Sequence, residues 1–344
     1  MTSKTDPDAR PQRVTIKDIA KRANVGVGTV SRVLNDHPLV SEEVRANVKA
    51  IIAELRYKPN LLAQNMRSSS SKTFGIVVPN LVNPFFAELV QAVEEAARAH
   101  HRHVYLMTSL DDAASEQECI DSMETRRVDG IVLIPADSHE VSRARRGARI
   151  VLVDRIGKGQ AGIGANHFTG ARLAAERLLE LGHRRIAIIA GPQNAVTAAA
   201  RLEGFMSVMA PIYDELDIDP ADFVFSGPFD MPTGAAGARK LFSFPENRRP
   251  TAIFASSDQQ AMGAMRAIFD LGLSIPRDIS ILGYDGIPVT DMVTPRLATI
   301  AQPVKEIAEA VVAALVSQSA VNAPQLFECF LKPGESMARR DRAI

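Results

Sequence analysis

The chain has 344 residues, 46% of them hydrophobic and 23% charged, with 40 Lys+Arg against 40 Asp+Glu. That length is too great for one ordinary core, so two or three water-facing globular domains are expected. No window approaches the roughly 18 uncharged apolar residues of a membrane span, and Cys119 and Cys329 are too few and too isolated for a disulfide framework or a zinc site. The polar start Met1–Arg10 lacks a signal-peptide apolar segment, so a cytoplasmic location without a membrane partner is expected.

The balanced charge is unevenly spread: residues 1–67 carry 12 Lys+Arg against 7 Asp+Glu, and the remainder 28 against 33. A positive head on a negative body favours phosphate contact by the head alone, although charge by itself does not decide this. After a tail expected to be flexible (1–13), Ile16, Ile19 and Ala20 recur at helical spacing behind Thr15. Thr15 stands three residues before Asp18 as a capping box. Ala23-Asn-Val-Gly26 interrupts the pattern with turn-tolerant residues, and Val27, Val30, Val33 and Leu34 resume it. Two short helices joined by such a turn form the shape that lays its second helix in the DNA major groove. A third helix is predicted from Ser41 to Arg56, capped by Ser41 and buried along Val44, Val48, Ile51, Ile52 and Leu55. Residues 14–58 are therefore expected to form a helix-turn-helix domain binding double-stranded DNA. Residues 59–72 are expected to be a short helix, Leu61–Arg67, followed by the serine linker 68–72. A helix of under two turns is unstable alone, so it is expected to fold only against DNA and its own copy in a second subunit.

From Phe74 onward short apolar runs alternate with helical patterns. They are Phe74–Val78, Val104–Met107, Gly130–Ile134 and Ile150–Val153, then Ile186–Ile189, Phe223–Phe225, Ala252–Phe254 and Ile279–Leu282. This argues for an α/β region of doubly wound parallel sheets with helices on both faces. Candidate ligand residues stand where these strands end: Asn83, Phe85 and Phe86, Asp111, Asp154, Asn166, Arg201, Phe229, Ser257, Asp258 and Asp285. Carboxylates and an arginine around an aromatic face suit a sugar or related polyhydroxyl compound, with a nucleoside or sugar acid open. For Phe85 and Phe86, core packing and ligand stacking are equally open.

The strings Val14-Thr-Ile-Lys-Asp-Ile-Ala20, Thr29-Val-Ser-Arg-Val-Leu-Asn35 and Tyr57-Lys-Pro-Asn60 resemble the lactose-repressor (LacI/GalR) family of bacterial transcription regulators. So do Gly75-Ile-Val-Val-Pro79, Asn83-Pro-Phe-Phe86, Asp129-Gly-Ile-Val132, Val153-Asp-Arg155, Leu181-Gly-His-Arg-Arg-Ile186, Arg201-Leu-Glu-Gly-Phe205 and Gly283-Tyr-Asp285. The resemblance implies an all-α DNA-binding head on two lobes of the type-I periplasmic-binding-protein fold, an effector-binding and dimerisation domain over 73–344. Its chain crosses between lobes near 165, 300 and 328, giving one lobe of about 73–165 and 301–328 and another of about 166–300 and 329–344.

The same resemblance places Val27 and Gly28 at base edges, where Val27 offers only a methyl contact and Gly28 no side chain. Direct readout then rests on Thr29, Ser31 and Arg32, with Arg32 on a guanine edge or a phosphate. Lys17, Asn35, Tyr57 and Asn60 position the DNA backbone, and Thr15, Ala63 and Met66 complete the expected contacts. The family usually has a serine where Gly26 stands and a leucine wedge where Met66 stands, which an unbranched methionine can still supply in a minor-groove step. Arg201 and Asp285 are the effector residues the resemblance supports best. Ala165-Asn166 replaces a common Asp-Asn pair, and Ser257-Asp258 a common Asn-Asp.

Three other patterns carry little. Gly157-Lys-Gly-Gln-Ala-Gly162 matches a dinucleotide fingerprint, but Ile163–Asn166 separates it from the next helix, so no cofactor is expected. His100-His-Arg-His103 lacks nearby carboxylates or cysteines, so no metal is expected. Ser69-Ser-Ser-Lys72 falls in the linker without a pocket, and no catalytic set appears, so the protein is not expected to be an enzyme. The expectation is a homodimeric, ligand-responsive repressor gripping a pseudo-palindromic operator. The C-terminal residues 338–344 lack apolar heptads, which favours a dimer over a coiled-coil tetramer. The alternative is a solute-binding protein of the same two-lobed fold that does not bind DNA.

Overall fold

The computed structural model describes residues 14–34, 36–55, 57, 70–136, 144–145, 147–157 and 159–340. Asn35, Asn60, Ala63, Met66, the tail 1–13 and the short helix 61–67 named above lie outside the described residues. The chain divides into two compact units, Met1–Ser70 and Ser71–Ile344.

In the first unit, α1 (Ile16–Arg22), α2 (Val27–Leu34) and α3 (Glu42–Glu54) enclose one small core. Thr15 donates its backbone N–H (2.8 Å) and its hydroxyl (2.7 Å) to the Asp18 carboxylate. Those bonds, with the Lys21 charge, lower the Asp18 pKa from its ordinary value. Asn24 takes a left-handed backbone (φ 53°), which ends α1 and turns the chain into α2. Ile19, Val30 and Val48 are wholly buried where the three helices meet. Ser41 caps α3 by accepting the Val44 N–H at 3.4 Å, as the sequence predicts.

The second unit holds two lobes. The first has a parallel sheet in the order β2-β1-β3-β4, from β1 (Thr73–Val78), β2 (His103–Thr108), β3 (Gly130–Leu133) and β4 (Ile150–Leu152). Helices α4 (Pro84–Ala99) and α5 (Ala113–Thr125) connect its first three strands. The second has the order β12-β10-β9-β8-β6-β7, from β6 (Ile186–Ala190), β7 (Val224–Ser226), β8 (Ala252–Ala255), β9 (Ser280–Asp285), β10 (Ala298–Ala301) and β12 (Phe330–Lys332). All its neighbours are parallel except β10 and β12, which run antiparallel. Its helices are α6 (His167–Glu180), α7 (Val196–Glu215), the short α8 (Pro220–Phe223), α9 (Met231–Phe242) and α10 (Asp258–Asp270). Every residue of β1, β3, β6, β8 and β9 is buried, as parallel strands covered on both faces require.

Between the lobes, β5 (Gly162–Ala165) pairs in parallel with β11 (Pro324–Phe327), and Val153 bridges to Ile163. Helix α11 (Val304–Ser317) returns to pack on the first lobe beside α4. The chain thus passes between lobes around 165, around 302 and around 328. The first and third crossings are tied together: Glu328 accepts from Asn166 Nδ2 (3.0 Å) and Thr169 Oγ1 (2.5 Å), and the Tyr284 hydroxyl meets both His167 Nδ1 (3.2 Å) and Cys329 Sγ (3.1 Å). In each sheet a switch point, between β1 and β3 and between β6 and β8, opens at the carboxyl ends of its strands, where ligands bind in such folds.

Candidate functional site

Two faces carry the candidate chemistry. On the head, the apolar stripe of α2 turns inward and leaves Gly28 and Arg32 exposed one turn apart, with Thr29 and Ser31 half-buried beside them. Val27, expected at a base edge, is itself half-buried and packs on the head's apolar cluster, because it begins the Val27–Val30–Val33/Leu34 stripe. Gly26 and Gly28 face open space, with nothing within 4 Å of the position a Cβ would take. Thr15 and Lys17 are exposed at the start of α1, and Tyr57 is half-buried against the same apolar cluster.

In the second unit a chain of polar contacts runs from one lobe to the other. Asp154 follows β4 in a left-handed conformation (φ 64°) that turns its side chain out of the strand. Its Oδ1 lies 3.3 Å from His167 Nε2, at the start of α6, but the two are not aligned for a hydrogen bond. Arg201 Nε lies 3.4 Å from His167 Nδ1, and its Nη2 lies 3.2 Å from Asp285 Oδ1. Gln302 Nε2 donates to the same Asp285 oxygen at 2.9 Å. Arg201 is fixed further by the Ser256 carbonyl (2.5 Å) and lies over the rings of Tyr284 (3.9 Å) and Phe229 (5.4 Å).

These groups are buried, and their charges follow from that. Burial raises the Asp154 carboxyl, yet the His167 contact and the Arg201 and Arg155 charges hold it below its ordinary value. Burial and the Arg201 charge push the His167 imidazole down, so it stays neutral despite Asp154. Burial carries Asp285 up to about 6, against Arg201 and Gln302, which favour its ionised form. The arrangement offers alternating acceptors and donors beside aromatic faces, which suits a ring bearing several hydroxyl groups.

Other sequence candidates fall at different depths. Asp111 gives its carboxylate to Arg155 (2.5 and 3.3 Å), which also lies over the Phe86 ring at 5.5 Å. Phe85 and Phe86 are both buried in edge-to-face contact, with centroids 5.6 Å apart, so both belong to the core and only Phe86 reaches the arginine. Asn83 and Asn166 cap α4 and α6 through the N–H groups of Phe85 (3.1 Å) and Thr169 (3.3 Å).

Ser257 and Asp258 are not offered to the cleft. Ser257 Oγ caps α10 by accepting from Gln260 N–H (3.2 Å), and Asp258 turns into the second lobe. There Asp258 Oδ2 accepts the N–H groups of Gly286 (2.8 Å) and Ile287 (2.9 Å). Oδ1 occupies the space a side chain on Gly283 would fill, 2.2 Å from that Cβ position. Burial and the nearby Asp285 raise the Asp258 pKa well above the ordinary value, as befits a structural carboxyl.

Arg155, His167 and Gln302 join the cluster without having been singled out from the sequence; each directly follows a residue at a strand end or lobe crossing, which was the available signal. Among the described residues no group of His, Cys, Asp and Glu could hold a metal ion, and no helix is long and apolar enough to cross a membrane.

Both compact units match known protein families. Residues 15–60 match the family described as "Bacterial regulatory proteins, lacI family". Residues 71–325 match "Periplasmic binding proteins and sugar binding domain of LacI family". The ribose operon repressor of Haemophilus influenzae is 33% identical over 315 residues, 88% of this chain and 91% of that protein. The HTH-type transcriptional repressor PurR of Escherichia coli O139:H28 is 34% identical over 303 residues, 86% of this chain and 87% of that protein. The crystal structure of the lac repressor dimer bound to operator and the anti-inducer ONPF is similar with a TM-score of 0.83 and 27% identity, covering 95% of this chain and all of that one.

Proposed function

The chain belongs to the lacI family of bacterial regulatory proteins, and on that premise we propose that it is a homodimeric, ligand-responsive transcriptional repressor acting in the cytoplasm. Two heads grip a pseudo-palindromic operator, with half-sites related by the dimer axis. A sugar-like effector enters between the lobes and shifts the protein between DNA-binding and released states. The observation that carries this reading is the buried series Asp154–His167–Arg201–Asp285–Gln302, built from both lobes by strand ends and by helices α6 and α7. Such a series rewards closure around hydroxyl groups, because the ligand satisfies groups that neither lobe can satisfy alone. The relatives named for ribose support a polyhydroxyl effector over an aromatic one. The reading is of a binding protein, not an enzyme, and the matched head leaves a pure solute carrier without support.

Selection of the full-length protein on a randomised DNA pool, with and without added sugars, tests this. An enriched palindrome whose recovery changes with a sugar is expected, and Met66→Ala should erase preference at its central step. Salt-sensitive retention with no enriched motif would overturn the claim of operator specificity.

A further inference from the structure

We propose that the far end of the second lobe carries a separate anion site, and that its ligand is a phosphomonoester with a small organic group. The site is independent of the effector reading of the cleft. A cavity of about 460 Å³ opens where residues 182–185 lead into β6 and Thr251 into β8, at the amino ends of those strands. Ser256 and Asp285, which face the cleft, stand at the carboxyl ends of β8 and β9. At about 3.3 Å per residue, the length of β6 puts roughly 15 Å between the two places.

Arginines from three separate segments line this cavity: Arg184 and Arg185 before β6, Arg248 before β8, and Arg340 at the end of the described residues. Gathering like charge in one concavity costs stability in the free protein and favours an anion. Glu215 and Asp222, outside the lining, hold Arg184 and Arg248, the latter with Nη2 2.8 Å from Asp222 Oδ2. Arg185 donates Nε to the Arg249 carbonyl at 2.9 Å, which leaves its two terminal nitrogens without a partner among the described residues. The Arg340 guanidinium has no partner among them either. Its backbone is nonetheless held, because the Arg340 N–H donates to the Leu181 carbonyl (2.7 Å) and the Ala338 N–H to Ser280 Oγ (3.0 Å). Gly182 permits that close pass, since a Cβ there would meet the Arg340 carbonyl oxygen at 2.7 Å. Two open guanidinium forks from different segments suit the three terminal oxygens and higher charge of a phosphate better than the two oxygens of a carboxylate. The rest of the lining calls for an organic group: Leu216, Ile218 and Phe223 give apolar surface, and Asn247 an amide. Asp217 is the one carboxylate among the described lining residues. It repels phosphate, so phosphate belongs at the arginines, and a ligand hydroxyl or amino group at Asp217.

The test is calorimetric titration of the full-length protein with inorganic phosphate, glucose 6-phosphate and AMP, repeated on Arg340→Gln and Arg340→Lys. Amide hydrogen exchange locates the bound probe. One of the two organic phosphates should bind at least about tenfold more tightly than inorganic phosphate, and slow exchange in residues 182–186 and 247–252. Arg340→Gln should weaken that binding about tenfold or more, and Arg340→Lys should recover part of the loss. Salt-sensitive retention on DNA, unchanged in both variants, shows that they remain folded. Glucose 6-phosphate binding best assigns a sugar phosphate, and AMP binding best a nucleotide. Inorganic phosphate binding as tightly as either overturns the organic group. Affinity indifferent to Arg340→Gln, or exchange slowed at residues 154–167 in place of the arginine segments, overturns the site. So does failure of all three probes to bind a protein that still retains DNA.

Discussion

Asp285 carries the most consequential titration in the cleft. Its carboxylate faces Arg201 at 3.2 Å and Gln302 at 2.9 Å, with Asp154 and the inward-turned Asp258 as the other acids acting on it. Burial nevertheless raises it to about 6. A carboxyl raised on folding stabilises the folded state below its unfolded value, and that contribution is lost as pH rises through about 6. Ligand hydroxyls need the ionised form as acceptor, so binding runs the opposite way and tightens with pH. Effector affinity at pH 7 should exceed that at pH 5 by about tenfold, since a group of pKa near 6 changes from mostly protonated to mostly ionised over that range. Asp285→Asn should flatten the profile, and a flat profile in the unmodified protein would remove Asp285 from the ligand. Burial and the Arg201 charge lower the His167 pKa from its ordinary value, so Asp285→Asn is the control that separates its titration from that of Asp285.

The same scale shows what strand ends reveal. Asp154, Phe229 and Asp285 were visible because parallel strands deliver their following residues to one edge, whereas Arg201, inside α7, was marked by the family resemblance. Asp258 stands just beyond a strand end too, yet two backbone amides and the bare Cα of Gly283 draw its carboxylate inward. Position along a strand cannot distinguish those two fates; the neighbouring loop decides them. His167 lay hidden because a histidine beginning a helix gives no signal until the crossing strand before it is known.

Among the elements, α2 is the one whose sequence works against its role. Gly28 sits inside it with no neighbour within 4 Å of its Cβ position, so it contributes the entropy cost of glycine without any packing return. Gly28→Ala should stabilise the head by about 0.5–1 kcal/mol, read as slower amide hydrogen exchange in α1–α3. Slower exchange with unchanged operator preference means that base readout rests on Thr29, Ser31 and Arg32. Faster exchange would show that the open space around Gly28 is not available to a methyl group. Gly26→Ser should add only a few tenths of a kcal/mol, since glycine is already a tolerable N-cap. The helices of the head and the longer strands were legible because their apolar spacing extends over several turns or residues. Strands β5, β10, β11 and β12 were not: each has three or four residues, and Gly162-Ile-Gly-Ala165 has glycine at two of four. That composition follows from proximity: a Cβ on Gly162 would come within 2.9 Å of the Leu152 carbonyl oxygen, and one on Gly164 within 3.3 Å of the Asp154 backbone. The residues that let the crossing strand approach the cleft are those that conceal it as a strand.

At the scale of the whole molecule, DNA and effector are read by separate compact units, so the function requires a coupling free energy between them. The cleft supplies one half of that coupling. Asp154 belongs to the first lobe and Arg201 and Asp285 to the second, so a ligand that completes both sets favours one lobe relation over another. Two of the three crossings, near 165 and near 328, are joined through Glu328, Tyr284 and Cys329, which restricts the relations available. A ligand shifts such an equilibrium only by its difference in affinity for the two states, typically about 1–3 kcal/mol or roughly 5–150-fold. Linkage makes the effect mutual. Whatever factor the effector imposes on operator affinity, saturating operator must impose on effector affinity, in the same direction. Titrating the effector with and without a saturating operator duplex, at one salt concentration, measures both sides of the cycle. Equal factors that differ from one establish the regulatory reading, whether the effector releases DNA or recruits the protein to it. An effector affinity indifferent to operator would mean that the cleft binds a ligand the head never senses.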